Sequence, residues 1–409
     1  MHYNTVVVGG GQAGLGVSYY LVQKGIGHTV LEKGSIGESW KTQRWDSFTL
    51  NTPYDVSVLP GDESSMDNPG AFMGRDEFVE YLQAYVRKFD LPVQTGVAVT
   101  RICRDDEGKT YQIETTTGDL TADNIVIASG SQNQPKVPDA CSEIPGSILQ
   151  LHSGNYKRPD ALPDGAVLII GSGQSGVQIA EDLLEAGREV YLATSKVGRV
   201  VRALRGRDLL HWAVEIGFYD QTLADLEDSR VAYMAQPQIS GTRGGHTVSL
   251  QGLEKMGATL LGRLQGCAGG KMQFADNLAE NIIFADQVSA KFRDMIEGYI
   301  ASQGIEAPPT ETDEADLPDP NPQERNAQSE IDPLEQGIST IIWCTGFGGD
   351  FSWIEGVELD NTGVPINEKG VSPQSGMYFC GFPWLSKRKS GLIYGISEDA
   401  AYIVDRLAG

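Results

Sequence analysis

The chain has 409 residues, of which 40% are hydrophobic, and its 55 acidic and 32 basic side chains give a formal net charge of −23. That length allows two domains with separate hydrophobic cores, and the acidity argues against a nucleic-acid partner, which requires clustered positive charge. No apolar run is long enough to cross a membrane and the chain begins directly in a predicted strand, so we expect a cytoplasmic protein without a membrane anchor.

The first predicted element is a buried parallel strand over residues 6–8, which runs into a glycine-rich turn and a helix. Gly9, Gly11 and Gly14 form G-x-G-x-x-G, a spacing that allows a tight turn, close approach to a pyrophosphate and close helix–strand packing. The unpaired N–H groups of the helix N-terminus would face the phosphates. Glu32 closes the next strand, where a carboxylate can accept hydrogen bonds from ribose hydroxyls. We interpret this first glycine turn (residues 9–14) as a dinucleotide site; a glycine-rich turn in an ordinary βαβ unit is the alternative.

The stretch over residues 37–53 predicts an irregular loop, because it combines a glycine turn, two tryptophans and an Asn-Thr-Pro bend. Such a loop would pack on something flat and aromatic, for which a flavin ring and the protein core are equal alternatives. Short strands are predicted downstream, and the last of them, over residues 120–128, leads into Ser129 and Gly130. We expect the backbone to leave the first domain for the second at this point.

The same pattern occurs a second time, and we name it the second glycine turn (residues 171–176). A predicted strand over residues 167–170 runs into Gly171, Gly173 and Gly176. The position of Glu32 is taken here by hydroxyls and nearby cations, namely Thr194, Ser195, Lys196, Arg199 and Arg202. This set lacks a repelling carboxylate and suits a 2′-phosphate; a solvated basic surface is the alternative. The first site therefore suits FAD and the second NADPH.

The five cysteines, Cys103, Cys141, Cys267, Cys344 and Cys380, include no C-x-x-C pair and no obvious metal-ligand spacing. We expect buried, reduced thiols. This observation argues against the flavin disulfide reductases, whose chemistry requires a redox-active cysteine pair.

The C-terminal part begins with an acidic, proline-rich excursion over residues 307–336, which we expect to be exposed because it has little apolar surface to bury. A buried strand over 338–347 follows, then another over 376–382 and a final helix. This tail should return to the first sheet. The predicted fold class is thus α/β with two Rossmann-like dinucleotide-binding domains, an FAD domain with an inserted NADPH domain. The predicted boundaries are 1–160 for the first part of the FAD domain, 161–345 for the NADP domain and 346–409 for the C-terminal return.

With its two unequal dinucleotide motifs and the motifs that connect them, the chain resembles the class B flavin-containing monooxygenases. The resemblance is strongest to their CzcO-like and YUCCA-like branch. The matching motifs are Gly9/Gly11/Gly14 with Glu32, Gly37-x-x-Trp40, Ala128-Ser129-Gly130, Leu151-His152-Ser153, Gly171/Gly173/Gly176, Trp343 to Phe347, and Tyr378 to Gly381. The resemblance implies that Asn51 lies beside the flavin and retained NADP⁺. An amide there offers donors and an acceptor without added charge, whereas a turn residue before Thr-Pro is the alternative. For His152, structural and catalytic roles both stay open.

The resemblance implies an FAD-dependent, NADPH-using monooxygenase that forms a C4a-(hydro)peroxyflavin and oxygenates a small molecule by N- or S-oxidation, hydroxylation or Baeyer–Villiger reaction. An NADPH oxidase or reductase flavoprotein is the enzymatic alternative, and a nucleotide-sensing flavoprotein is the non-enzymatic one. Its partners would be a small-molecule substrate and O₂, and homo-oligomerisation is left open. The predicted catalytic residue is Asn51. The predicted cofactor-binding residues are Gly9, Gly11, Gln12, Ala13, Gly14, Glu32, Lys33, Ser39, Trp40, Trp45, Asn51, Ser129, Gly130, Gly171, Ser172, Gly173, Gln174, Ser175, Gly176, Thr194, Ser195, Lys196, Arg199, Thr345, Gly346 and Gly381.

Overall fold

A computed structural model describes residues 1–62, 70–105, 108–138, 144–325 and 327–409. Its strands are β1 (His2–Val8), β2 (His28–Glu32), β3 (Val93–Thr95), β4 (Val99–Arg104), β5 (Tyr111–Thr115), β6 (Leu120–Ile127), β7 (Gln134–Pro135), β8 (Leu149–His152), β9 (Ala166–Ile170), β10 (Val190–Ala193), β11 (Ala203–Leu204), β12 (Arg207–Asp208), β13 (Thr259–Leu261), β14 (Leu264–Ala268), β15 (Lys271–Phe274), β16 (Glu330–Ile331), β17 (Ile338–Trp343), β18 (Phe347–Gly348) and β19 (Met377–Phe379). Its helices are α1 (Gln12–Gln23), α2 (Glu38–Thr42), α3 (Arg75–Lys88), α4 (Gln174–Glu185), α5 (Leu209–Glu215), α6 (Leu250–Lys255), α7 (Leu278–Gln303) and α8 (Ile396–Ala408).

The first sheet has the strand order β3-β2-β1-β6-β5-β4, with β19 paired to β6. Its centre is parallel, and the apolar end of β1 is buried because helices cover the sheet. β19 runs parallel to β6, and α8 packs on α1. The last part of the chain therefore returns to the first sheet, as the sequence predicts.

The second sheet has the order β13-β10-β9-β17-β8, and all of its strand pairs are parallel. Every residue of β9 is buried, which explains its continuous apolar sequence. β8 belongs to this sheet, so the second sheet starts at Leu149, upstream of the predicted limit at residue 160. The domain boundaries themselves stay a prediction.

The two crossings of the chain between the sheets lie side by side, because β7 pairs antiparallel with β18. His152 supports this connection: its Nε2 donates to the Gly346 carbonyl oxygen at 3.0 Å, and its Nδ1 accepts from the Gly154 N–H at 3.2 Å. Burial lowers the pKa of His152, which favours the neutral ring that this pattern needs. Its contacts are those of a structural histidine.

The acidic segment 307–336 is not simply an exposed excursion, and that prediction is wrong for its centre. Asp316 is only 4% exposed, and its carboxylate accepts hydrogen bonds from Arg199, Arg293 and Ser289. Charge pairing therefore holds the centre of the segment on the second domain, and the prediction from apolar content did not include this contribution.

The cysteine prediction also needs a correction. Cys103 and Cys380 are free and buried, and Cys344 is free and half-buried. Cys267, however, is disulfide-bonded rather than reduced. It lies in the partly exposed hairpin strand β14 and not in a sheet core. Cys141 lies outside the described residues.

Across the parts of the chain that the structure describes, no helix has both the length and the apolar character needed to cross a membrane.

Candidate dinucleotide and active site

A cavity of about 1400 Å³ lies where the carboxyl ends of the two parallel sheets meet. Open α/β sheets bind ligands at this edge. Twenty-one of the predicted site residues line the cavity: Gly9, Gly11, Gln12, Ala13, Glu32, Lys33, Ser39, Trp40, Trp45, Asn51, Ser129, Gly130, Gly171, Gly173, Gln174, Ser175, Thr194, Ser195, Thr345, Gly346 and Gly381. The other five, Gly14, Ser172, Gly176, Lys196 and Arg199, lie outside its lining.

The first glycine turn has the geometry that a pyrophosphate requires. Gly9 has φ +115°, and a Cβ there would lie 2.4 Å from the Ala128 carbonyl oxygen. A Cβ on Gly14 would lie 1.9 Å from the Gly9 carbonyl oxygen, so this glycine serves helix–strand packing rather than ligand contact. Helix α1 begins after Gly11 without a side-chain cap. Its first-turn N–H groups are therefore available to phosphate oxygens.

Glu32 lies at the end of β2, where its carboxylate could accept hydrogen bonds from ribose hydroxyls. It is 7% exposed, its Oε2 accepts from the Gly10 N–H at 2.6 Å, and its Oε1 accepts from the Gly34 N–H at 2.8 Å. Each carboxylate oxygen keeps a further lone pair for a ligand. Ser129 Oγ, at the exit of β6, is buried without a hydrogen-bond partner among the described residues. A polar ligand in this part of the cavity would satisfy it.

The loop after β2 packs on protein aromatics, as one sequence-based alternative predicts. The loop also lines the cavity, and packing on a flavin ring stays a prediction. Trp40 donates its Nε1–H to Gln12 Oε1 at 2.9 Å and meets Phe78 edge-on. The guanidinium of Arg44 lies 5.1 Å from the Trp40 ring centroid, and burial lowers its pKa to about 10. Among the described residues, no carboxylate pairs with Arg44. Sequence reasoning missed this residue, although it directly precedes Trp45 in the tryptophan-rich loop.

Asn51 lies in the cavity wall and is held by the second domain. Its Oδ1 accepts from Gln178 Nε2 at 2.7 Å, and Gln178 also donates to the Ile239 carbonyl oxygen at 3.0 Å. The Asn51 carbonyl oxygen accepts from Arg202 Nη1 at 2.9 Å. This orientation leaves Nδ2 as the donor that Asn51 can offer a ligand. Helix α4, which follows the second glycine turn, thus fixes a side chain of the first domain.

The second glycine turn repeats the first. Gly171 has φ +105°, and a Cβ there would lie 2.6 Å from the Cys344 carbonyl oxygen, while a Cβ on Gly176 would lie 1.9 Å from the Gly171 carbonyl oxygen. Ser172 Oγ accepts from the Ser195 N–H at 2.9 Å. The two turns therefore present two phosphate sites to one cavity.

The predicted basic set at the second site is largely wrong. Arg199 is 1% exposed and lies between Asp286, at 2.8 Å, and Asp316, so a nucleotide cannot reach it. Arg202 is likewise buried and paired with Asp208. These guanidiniums pair with carboxylates of β12, α7 and segment 307–336. A prediction from the local sequence of residues 194–202 could not include those partners.

Two cations do remain near the end of β10. Lys196 is exposed, with its ammonium 4.9 Å from the Phe284 ring centroid. Arg263, which sequence reasoning missed, lines the cavity just after β13. β13 pairs with β10, so Arg263 lies beside the Thr194–Ser195 end. The position of Arg263 beside β10 is apparent only from this long-range strand pairing.

Two glycine turns at the carboxyl ends of two parallel sheets that share one cavity define the fold of a two-nucleotide oxidoreductase. A family model described as pyridine nucleotide-disulphide oxidoreductase matches residues 6–203. The oxidoreductase CzcO of Bacillus subtilis (strain 168) is 31% identical over 411 residues, covering 100% of this chain and 99% of its own. YUCCA10 of Arabidopsis thaliana, whose name describes an indole-3-pyruvate monooxygenase, is 30% identical over 215 residues and covers 50% of this chain and 54% of its own.

Among solved structures, a flavin-containing monooxygenase from Stenotrophomonas maltophilia is similar, with a TM-score of 0.65 at 20% identity, and covers 100% of this chain and 98% of its own. At that identity the likeness shows the fold alone. The chain belongs to the family of CzcO-like oxidoreductases. The predicted CzcO-like relationship and fold class are confirmed. A solved structure of similar fold, OTEMO, contains the two predicted cofactors, FAD and NADP, with a TM-score of 0.56 at 16% identity. The individual site residues and the oligomeric state stay predictions.

Proposed function

We propose that this protein is an FAD-dependent monooxygenase that uses NADPH and O₂ to place one oxygen atom on a small molecule. For a sulfide substrate, the balanced reaction converts sulfide, O₂, NADPH and a proton into sulfoxide, water and NADP⁺. Bound FAD would supply the redox chemistry: it accepts hydride and activates O₂ at C4a. The protein's own residues would bind, orient and shield the reactants.

The first glycine turn would hold the FAD pyrophosphate and Glu32 its ribose. Ser129 Oγ, unpartnered among the described residues, and the uncompensated guanidinium of Arg44 are consistent with a polar, anionic ligand there. The second glycine turn would hold NADPH, with Ser195 at the 2′-phosphate position. Both sites fit a dinucleotide by their chemistry.

One observation favours oxygen transfer over simple electron transfer: Asn51 lies in the shared cavity with its amide fixed by Gln178 of the nucleotide-binding helix α4. A neutral amide held in one orientation can donate a hydrogen bond to a reactive oxygen species without adding charge. The link to α4 would keep Asn51 in place when the second nucleotide is bound. An oxidase has no evident need for such a group.

The test is rapid mixing of the FAD-loaded protein, first anaerobically with NADPH and then with O₂. We expect a lasting absorbance of a flavin C4a adduct before the oxidised flavin returns. In Asn51→Ala the adduct should decay about fivefold faster, since the loss of one hydrogen bond costs about 1 kcal/mol. FAD content and the rate of reduction should stay unchanged.

Asn361→Ala, at an exposed position, is the matched control. Immediate return to oxidised flavin with stoichiometric hydrogen peroxide, in the presence and absence of amines, sulfides and ketones, would instead support the oxidase alternative. An adduct of equal lifetime in Asn51→Ala would reduce Asn51 to a turn residue.

A further inference from the structure

Arg388 lines the cavity on the loop between β19 and α8. Its guanidinium lies between two aromatic rings, 4.2 Å from the Phe218 centroid and 4.8 Å from the Trp384 centroid. Its Nε donates to Gln221 Oε1 at 3.0 Å, and its backbone N–H donates to the Gln221 carbonyl oxygen at 2.8 Å. Contacts from both parts of the chain thus hold this side chain in one orientation.

The charge of Arg388 is not compensated by the protein. Among the described residues no carboxylate pairs with it, whereas the adjacent Lys387 and Lys389 both pair with Asp220 and Glu398. Burial lowers the pKa of Arg388. A half-buried guanidinium held without an acidic partner is costly unless an anion from outside completes the pair.

The geometry of the guanidinium suits a carboxylate. In the described part of the chain only Nε has a protein acceptor, which leaves the two Nη groups to donate into the cavity. Parallel N–H donors of this kind bind carboxylates in a bidentate manner. The flanking Trp384 and Phe218 provide apolar faces for the rest of such a ligand.

The contacts of the Arg388 loop lead towards Asn51: the Lys389 N–H donates to the Tyr219 carbonyl oxygen at 3.2 Å. The adenosine ends are marked by Glu32 in the first domain and by the Thr194–Ser195 end of β10 in the second. The charges of Arg202 and Arg388 both act to lower the pKa of Tyr219, so both guanidiniums lie near it. Arg202 in turn donates a hydrogen bond to the Asn51 carbonyl oxygen. A ligand anion on Arg388 would therefore lie near the group that we assign to the oxygenation step.

We propose that Arg388 is a substrate-binding residue and that the substrate is an organic carboxylate with an apolar or aromatic body. This inference rests on the proposed monooxygenase function, because it assigns the Asn51 side of the cavity to substrate. It narrows the substrate class from any soft nucleophile or ketone to one that bears an acid group.

The test uses a matched pair of sulfides, (phenylthio)acetate and its neutral amide, (phenylthio)acetamide. Each is titrated into the oxidised holoprotein without NADPH, and the change in the flavin spectrum gives a Kd that does not depend on turnover. We expect the acid to bind about tenfold or more tightly than the amide, since hydrogen bonds to charged groups are the stronger ones.

Arg388→Met should abolish this preference by weakening the acid and leaving the amide unchanged, and Arg388→Lys should retain part of it. Arg87→Met, at an exposed position outside the cavity, is the control. With NADPH and O₂, sulfoxide formation from the acid should show a raised KM in Arg388→Met, with the rate of flavin reduction preserved.

Equal affinities of the wild type for acid and amide would overturn the proposal, and so would a preference that survives in Arg388→Met. Loss of FAD from Arg388→Met would overturn it as well, by assigning the guanidinium to the flavin. A charge preference without any sulfoxide would preserve the binding site and refute the monooxygenase proposal.

Discussion

We predict that single cations near the end of β10 decide which nicotinamide nucleotide the second site prefers. Lys196 and Arg263 are the cations near that end without a carboxylate partner among the described residues, whereas Arg199 is buried between two carboxylates. We expect the double variant Lys196→Ala/Arg263→Ala to raise the KM for NADPH about tenfold, because a phosphate loses its charged hydrogen-bond donors. The KM for NADH should change little.

The measurement is the initial rate of flavin reduction over a range of each nucleotide, with Lys291→Ala as an exposed surface control. An equal rise for both nucleotides would contradict the assignment and point to a general effect on the fold. The single variants Lys196→Ala and Arg263→Ala are measured in the same way. If only one of them raises the KM for NADPH selectively, that residue contacts the 2′-phosphate.

The positions of site residues were predictable from sequence where the motif is local. Glu32 and the two glycine turns lie where the spacing places them, because strand, turn and helix are consecutive in the chain. Arg199 was misassigned and Arg263 missed for the opposite reason. Their surroundings are made by residues 60 or more positions away in the chain, and no local pattern contains that information.

Among the elements, segment 307–336 and helix α7 depend on each other through buried charges. Asp316 accepts hydrogen bonds from Arg199 after β10 and from Ser289 and Arg293 on α7. We expect Asp316→Ala to lower the free energy of unfolding by about 3 kcal/mol, the low end for a broken buried ion pair, because the buried guanidinium of Arg199 loses one of its two carboxylate partners and keeps Asp286. Thermal unfolding monitored by circular dichroism measures the loss.

Glu311→Ala, an exposed substitution in the same segment, should leave the midpoint unchanged. Asp316→Asn, which keeps the shape and part of the hydrogen bonding, should fall between the two. If Asp316→Ala unfolds like the wild type, the segment is not held by this carboxylate.

The elements that sequence reasoning found are those with strong local periodicity or motif signals, namely β1, β9 and the helices that follow them. The weakly patterned stretch of residues 219–300 gave no topology, and there the structure shows β13 completing the second sheet and β14 pairing with β15 in a separate hairpin. Short strands of this kind are specified by their partners rather than by their own sequence.

At the scale of the whole molecule, one chain forms two sheets whose carboxyl-end edges face a common cavity. Contacts across this cavity connect the two dinucleotide-binding halves. Gln178 reaches the side chain of Asn51, and Arg202 reaches the carbonyl oxygen of the same residue. The repeated motif was enough to predict the architecture. The contacts across the cavity were not predictable, because they depend on how the two halves are oriented.

The stability of this assembly should fall as the pH drops below neutrality. His28, at the start of β2, donates from Nδ1 to the Ile26 carbonyl oxygen at 2.9 Å and accepts from Ser18 Oγ at 2.7 Å, an arrangement for a neutral ring. Burial lowers the pKa of His28, as it does that of His152 beside the interdomain connection. The unfolded chain therefore binds more protons than the folded one near the ordinary histidine pKa.

This linkage stabilises the fold fully above the ordinary histidine pKa, and the contribution is lost progressively as the pH falls below it. We expect the unfolding midpoint, measured with FAD in excess, to drop between pH 7.5 and 5.5. The drop should be smaller in His28→Gln, whose amide can still accept from Ser18 but cannot titrate. At pH 8 the protonation of position 28 should contribute nothing to the difference between the two unfolding midpoints, since both side chains are then uncharged. An identical pH dependence in wild type and His28→Gln would show that other groups, the paired carboxylates among them, control acid unfolding.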